Sequence, residues 1–216
     1  MKNIIKYILL ICFVFSPVVA GDFNNDLEQL KNLAYEQNDP KDQFRLGDMC
    51  SYGLGVEQDH EEAMKWYLLA AQQGHRQAQF KLGCMYEQGY GVKRDCEEAM
   101  KWYLLAAQQN HSDAQFKLGD MYGKGLGVEE NDEEAMKWYL LAAQQNHPEA
   151  QFALGCIYEQ GRGVKQNYDK AKKWFQICHD NPKVSPLDKI LAKESLDEIN
   201  KITEIGDGGT DRMGIL

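Results

Sequence analysis

The sequence predicts an all-α protein: a solenoid of four 36-residue helix-turn-helix repeats closed at both ends by capping helices. Three observations carry this. The phrase Glu-Glu-Ala-Met-Lys-Trp-Tyr-Leu-Leu-Ala-Ala-Gln-Gln starts unchanged at Glu61, Glu97 and Glu133, and a looser copy runs through Trp174. Glycines recur at the same spacing in three columns, Gly47/Gly83/Gly119/Gly155, Gly53/Gly89/Gly125/Gly161 and Gly55/Gly91/Gly127/Gly163. Helix-start and helix-stop residues fall at fixed places within each period. A strict period over four copies means one supersecondary unit stacked in a row.

The elements follow in chain order. Lys2 and Lys6 flank the start of an apolar run from Tyr7 to Phe15, and Ser16-Pro17 and Val18-Val19-Ala20 lead to Gly21. This is the order of a secretory signal peptide, residues 1–20. A retained anchor is the alternative, but the run is shorter than the roughly 20 residues that span a bilayer. No integral membrane span is expected after cleavage. Residues 21–39 read as an amino-terminal capping helix that aligns with the second helix of a repeat, with Leu30 in place of tryptophan. The full repeats are 40–75, 76–111, 112–147 and 148–183, together 40–183. After Pro182 and Pro186, residues 184–205 form a periodic closing helix, and 206–216 read as a flexible tail.

Within a repeat the first helix, helix A, runs in the second copy from Arg76 to Glu87, with Ala78, Phe80, Leu82, Gly83, Met85 and Tyr86 at helical spacings. Gly89 and Gly91 stop it, because glycine reaches positive φ without a Cβ clash. Helix B starts at Asp95, with Glu98 placed to complete a capping box; Asp59/Glu62 and Asn131/Glu134 repeat the pattern. It ends in the column Gly74, Asn110, Asn146, residue types that tolerate the left-handed region. Pro40 and Pro148 begin helix A, where a missing N–H costs nothing. Trp66, Trp102, Trp138 and Trp174, with Gly83 and Gly119, read as the anchors of the stack, the tryptophans filling a buried column between repeats.

Charge excludes one class of partner. The chain carries 24 Lys+Arg against 33 Asp+Glu, a formal −9, which becomes −11 when the two lysines of the signal peptide leave. Nucleic acid, which needs a concentrated basic face, is not an expected ligand. Six cysteines, five after cleavage, are too few for a disulfide-held scaffold. The repeated His75, His111 and His147 stand about one repeat apart, too far to share a metal, and read as helix-start residues. His60-Glu61-Glu62-Ala63-Met64 lacks the second histidine of a zinc-protease signature, and the Gly-x-Gly turns end helices and lack the context of a phosphate loop. No cofactor and no metal are expected.

The strings Ala-Gln-Phe-Lys-Leu-Gly-x-Met-Tyr, Gly-x-Gly-Val and Glu-Glu-Ala-x-Lys-Trp-Tyr resemble the Sel-one-like repeat, a relative of the tetratricopeptide repeat, over roughly residues 40–179. The resemblance implies a right-handed α/α solenoid acting as a non-catalytic interaction scaffold, a monomer, secreted or periplasmic, in an envelope complex or at a contact with a host. Related solenoids line their concave face with A helices. By that analogy the varying helix A residues Arg45, Asp48, Lys81, Glu87, Lys117, Asp120, Lys124 and Glu159 are expected to bind a protein or peptide. The competing reading is a solvated face with i,i+3 pairs, Arg45 with Asp48 and Lys117 with Asp120. The cysteine-rich exported branch of the family suggests β-lactam binding or hydrolysis as the alternative function. No serine here is followed by Lys three residues on and Lys-Thr-Gly is absent, so an enzyme is not expected. Two departures from the repeat pattern stand out: Cys50 where other copies have tyrosine, and Cys178-His179 where they have paired alanines.

Overall fold

The computed structural model describes residues 30–207 apart from residue 33. The expected signal peptide, most of the first cap and the tail from residue 208 lie outside the described residues. All regular structure among the described residues is helical, and the protein is an all-α solenoid. An amino-terminal helical segment (residues 30–32 and 34–37) precedes α1 (Pro40–Tyr52), α2 (His60–Gln72), α3 (Arg76–Gln88), α4 (Cys96–Gln108), α5 (Ser112–Lys124), α6 (Asp132–Gln144), α7 (Pro148–Gln160), α8 (Tyr168–Asp180) and α9 (Pro186–Asp207). Odd numbers from α1 to α7 are A helices and even numbers are B helices. Each helix packs on the next in the chain.

Every helix end has a chemical cause. Helix A stops at Gly53, Gly89, Gly125 and Gly161, all at φ between 64° and 77°, whose N–H groups return to the last turn. The side chains of Asp59, Asp95, Asn131 and Asn167 accept from the N–H three residues on and start helix B. The reciprocal half of the capping box does not form. Asp95 N–H donates back to Tyr86 O at 2.9 Å, and Glu98 accepts instead from Lys101. The same backbone bond runs from Asp59 to Cys50 O, from Asn131 to Tyr122 O and from Asn167 to Tyr158 O. Because that column contributes its carbonyl, Cys50 can replace tyrosine there. Helix B then ends with Gly74, Asn110 and Asn146 at positive φ.

The core is a line of small and aliphatic residues, with Ala63, Ala99, Ala135 and Ala171 and with Leu82, Leu118 and Leu154 buried throughout. Inside it runs a polar thread. Gln43, Gln79, Gln115 and Gln151 are buried in the first turn of helix A. Gln79 donates to Ala71 O at the end of the preceding helix B and accepts from Gln109 at the end of its own. Gln115 does the same with Ala107 O and Gln145, and Gln151 with Ala143 O and Asn181. Buried polar groups must be paired, and these amides pair one another while giving a second donor to last-turn carbonyls that otherwise accept only from the N–H three residues on.

Candidate functional site

The residue that fills the space between helices A and B follows the tryptophan. Tyr67, Tyr103 and Phe175 are at most 1% exposed and Tyr139 is 7% exposed. Each ring lies flat against a helix A glycine, Gly47, Gly83, Gly119 or Gly155, where a Cβ would come within 2.5–2.6 Å of it. The tryptophans are a different case from the buried column expected. Trp66 is fully buried, covered by Tyr35 with ring centroids 4.6 Å apart, whereas Trp102, Trp138 and Trp174 are half-buried. They pack on the apolar cluster of the repeat before, and their outer edges meet solvent. The indole N–H of Trp66 donates to Glu62, which also accepts from Lys65, whereas the Trp102 N–H has no partner among the described residues.

The tyrosine hydroxyls explain the acidic helix A residues. Tyr67 donates to Asp48 at 2.7 Å, Tyr139 to Asp120 at 2.7 Å, and Tyr103 to Glu87 at 2.6 Å. Burial, reinforced by these acceptors, drives the three phenols well above the usual tyrosine range. Where the hydroxyl is missing, at Phe175, the neighbouring Glu159 has no tyrosine to accept from. Its carboxyl is pushed up, first by burial and then by the charge of Glu198.

With Asp48 and Asp120 turned to the tyrosines, the basic residues take other partners than expected. Arg45 pairs with Asp42 at 3.4 Å, not with Asp48. Lys117 reaches back to Glu87 of the preceding repeat at 2.9 Å, not to Asp120, which pairs with Lys124. Lys81 likewise reaches back, to the hydroxyl of Tyr52 at 2.6 Å. Of the eight expected residues, Lys81, Glu87 and Lys117 reach across from one A helix to the next, and the junctions differ. The junction of repeats one and two is bridged by Tyr52 and Lys81, and that of two and three by Glu87 and Lys117. At the junction of three and four the residues in the Glu87 and Lys117 columns are Gly123 and Ala153. A cleft of about 110 Å³ opens there.

The remaining anchors hold the loops. Gly91 combines positive φ with a close approach: a Cβ on it would fall 2.5 Å from His60 O at the start of the preceding helix B. The side chain before it also reaches back. Tyr90 stacks on His60 at 5.1 Å, and at the third junction Arg162 pairs with Asp132 at 2.7 Å. His75 and His147 cap α3 and α7 through Nδ1, at 3.3 and 3.4 Å, while His111 makes no cap bond. Their rings stack on Phe44, Phe116 and Phe80 respectively. The five cysteines among the described residues are free thiols. Burial raises Cys50 and Cys84 and pushes Cys156 and Cys178 up to about 11, so these four are protonated at neutral pH and poor nucleophiles. Among the described residues no group of His, Cys, Asp or Glu is placed to hold a metal, and no helix is long and apolar enough to cross a membrane.

Sequence reasoning missed the tyrosine partners and the glutamine thread. The signal for the second was on the page, since a glutamine recurs every 36 residues inside an otherwise apolar helix face.

Comparison with known proteins agrees with this geometry. The Sel1 repeat model matches residues 40–75, 76–111, 112–147 and 148–177. A Sel1 repeat protein from Oxalobacter formigenes is similar at 35% identity and a TM-score of 0.66, over 74% of this chain and 68% of that one. A protective antigen with an SLR fold, present in uropathogenic Escherichia coli strains, is similar at 30% identity and a TM-score of 0.74, over 89% of this chain. The match spans 45% of the antigen's own length. No curated protein gave a significant match.

Proposed function

Since the chain belongs to the Sel1 repeat family, whose repeats are generally protein-interaction scaffolds, we propose that this protein is an exported, non-catalytic scaffold that binds a protein or peptide along its A helices. One observation carries the reading. Four columns that differ between repeats, those of Arg45, Asp48, Glu87 and Lys124, lie together along the A helices, over a shared packing of tyrosine or phenylalanine, glycine and glutamine. A strip that varies over a frame that does not is what a binding surface on a repeat scaffold requires.

Export rests on the leader-like residues 1–20, and the antigen among the structural relatives is in keeping with a protein met outside the cell. Mass spectrometry of the protein from its native compartment is expected to find a chain beginning at Gly21. Crosslinking capture from that compartment tests the scaffold. Arg45 and Lys124 have side chains more than half exposed and can be reversed with little disturbance. Arg45→Glu with Lys124→Glu is expected to abolish capture without moving the thermal melt. Lys117 is unsuited to this test, because a carboxylate there would face Glu87.

A further inference from the structure

The cleft between repeats three and four is not imposed by the fold. Gly119 is required by the Tyr139 ring and Gly125 by its positive φ, but Gly123 answers to neither demand. A Cβ added to Gly123 would meet Ala135 Cβ at 3.5 Å and Tyr139 Oη at 3.8 Å, ordinary contacts. The columns of Gly123 and Ala153 hold Glu87 and Lys117 one junction earlier, where their ion pair spans the same space at 2.9 Å. Both partners are therefore cut back together, one from each side of the junction. A single truncation would leave a half-buried charge without its partner; the double truncation leaves an uncharged hollow.

Its walls state what fits. Ala135, Ala153, Ile157, Tyr139 and Cys156 supply mostly apolar surface, and Tyr139 is more exposed than Tyr67 or Tyr103 because it looks into the space. The charges at the mouth are already neutralised, Lys124 by Asp120 and Arg162 by Asp132, so a charged group entering would gain little and lose its hydration. The exposed Gln160 amide offers one donor side and one acceptor side at the rim, with no partner among the described residues. At about 110 Å³ the volume lies between that of a water, ~30 Å³, and the ~150 Å³ that holds a benzene ring, the range of one aliphatic side chain.

We propose that this cleft is the anchor pocket of the scaffold, taking one uncharged aliphatic side chain, of leucine or methionine type, from an extended segment of the partner whose backbone amide groups bond the Gln160 rim. The inference rests on the scaffold reading and narrows it to one junction and one kind of side chain. Its chemistry is reversible burial, with no covalent step.

The full chain, labelled at alanine and isoleucine methyls, is titrated with capped tripeptides Ac-Gly-X-Gly-NH2 and read by NMR. With X = Leu or Met, saturable shifts are expected at Ala135, Ala153 and Ile157, with binding at least tenfold weaker for X = Asp or Gly. Gly123→Glu with Ala153→Lys rebuilds the bridge of the preceding junction and is expected to remove the leucine response while keeping the melt. Ala153→Leu, which fills the hollow without charge, serves the same purpose should the double variant fail to fold. The proposal is overturned by absent saturation with the leucine peptide, by an equal response to Asp or Gly, or by a response that survives filling. Capture of a partner equally by filled and unfilled protein would leave the scaffold standing and remove the cleft from it. Leucine-peptide binding without any captured partner would do the reverse.

Discussion

The junction between repeats two and three and that between three and four share a backbone plan and differ in what closes them. In the first, Lys117 crosses to Glu87, which also accepts the Tyr103 hydroxyl, so one carboxylate serves both repeats. In the second, Gly123 and Ala153 leave an opening, and the bridging falls to the loop, where Arg162 reaches Asp132 and Gly123 O. The frame beneath is unchanged, with an aromatic ring on a glycine and a glutamine paired at both ends. A repeat protein can thus alter one junction at its surface without disturbing the stack, which is how a periodic scaffold acquires a single distinctive place.

The comparison can be broken at several depths. Truncating the ring should have the largest effect: Tyr103→Ala is expected to cost about 3–5 kcal/mol in chemical denaturation, as for other buried aromatics. Tyr139→Ala should cost less, because its ring already borders open space; equal losses would mean the cleft is closed in solution. Alanine at two glycines four residues apart should give opposite signs. Gly119→Ala forces a Cβ into the Tyr139 ring and should lose about 1–3 kcal/mol, while Gly123→Ala should gain up to about 1 kcal/mol from helix preference.

Acid acts on the helix starts next. Burial lowers the imidazoles of His75 and His111, with Arg76 adding to the effect at both and Asp113 opposing it at His111. A base whose folded pKa is depressed contributes stability that is whole above its unfolded value near 6.5 and is lost as pH falls below it. His75 also accepts the N–H of Ala78 through Nδ1, which protonation would forbid. The melting temperature should therefore drop between pH 7.5 and 5.5, by an amount equivalent to about 1 kcal/mol, the scale of a lost helix cap. A variant with His75→Asn and His111→Asn should show a flatter profile.

The smallest effect is that of the bridge. Glu87 and Lys117 side chains are 19% and 30% exposed, so solvent screens the pair, and Lys117→Met should cost only about 0.5–1 kcal/mol, shrinking with added salt. A salt-independent loss would assign Lys117 a packing role instead.

The helix pairs, their stops and their caps were legible in the sequence, because they depend on local chemistry repeated at a fixed spacing. Asp95 and Asn110 state their roles within a few residues. The partners of Asp48, Glu87 and Lys117 were not legible, because the competing choices lie 16 to 30 residues away and the tyrosine hydroxyl reaches the carboxylate first. The tryptophans misled for a related reason. Beyond the first repeat the most conspicuous aromatic in the phrase packs between repeats and keeps an edge in water, whereas the quieter ring beside it meets the glycine and disappears. The cleft could be read only by comparing columns, since an Ala and a Gly in a helix carry no signal until their counterparts are known to touch.

The glutamine thread carries a last consequence. Ala71 O at the end of one B helix takes its second donor from Gln79 in the A helix that follows, and the pattern recurs at Ala107 and Ala143. The smallest piece able to stand alone is therefore not one sequence period but a period extended by half of the next. A fragment cut at residue 111 would lose the Gln115 donor to Ala107 O and leave that last turn uncovered; one cut at 125 would keep both. Amide exchange along the chain should be graded in blocks offset by one helix from the written repeat, with the slowest block straddling its boundaries.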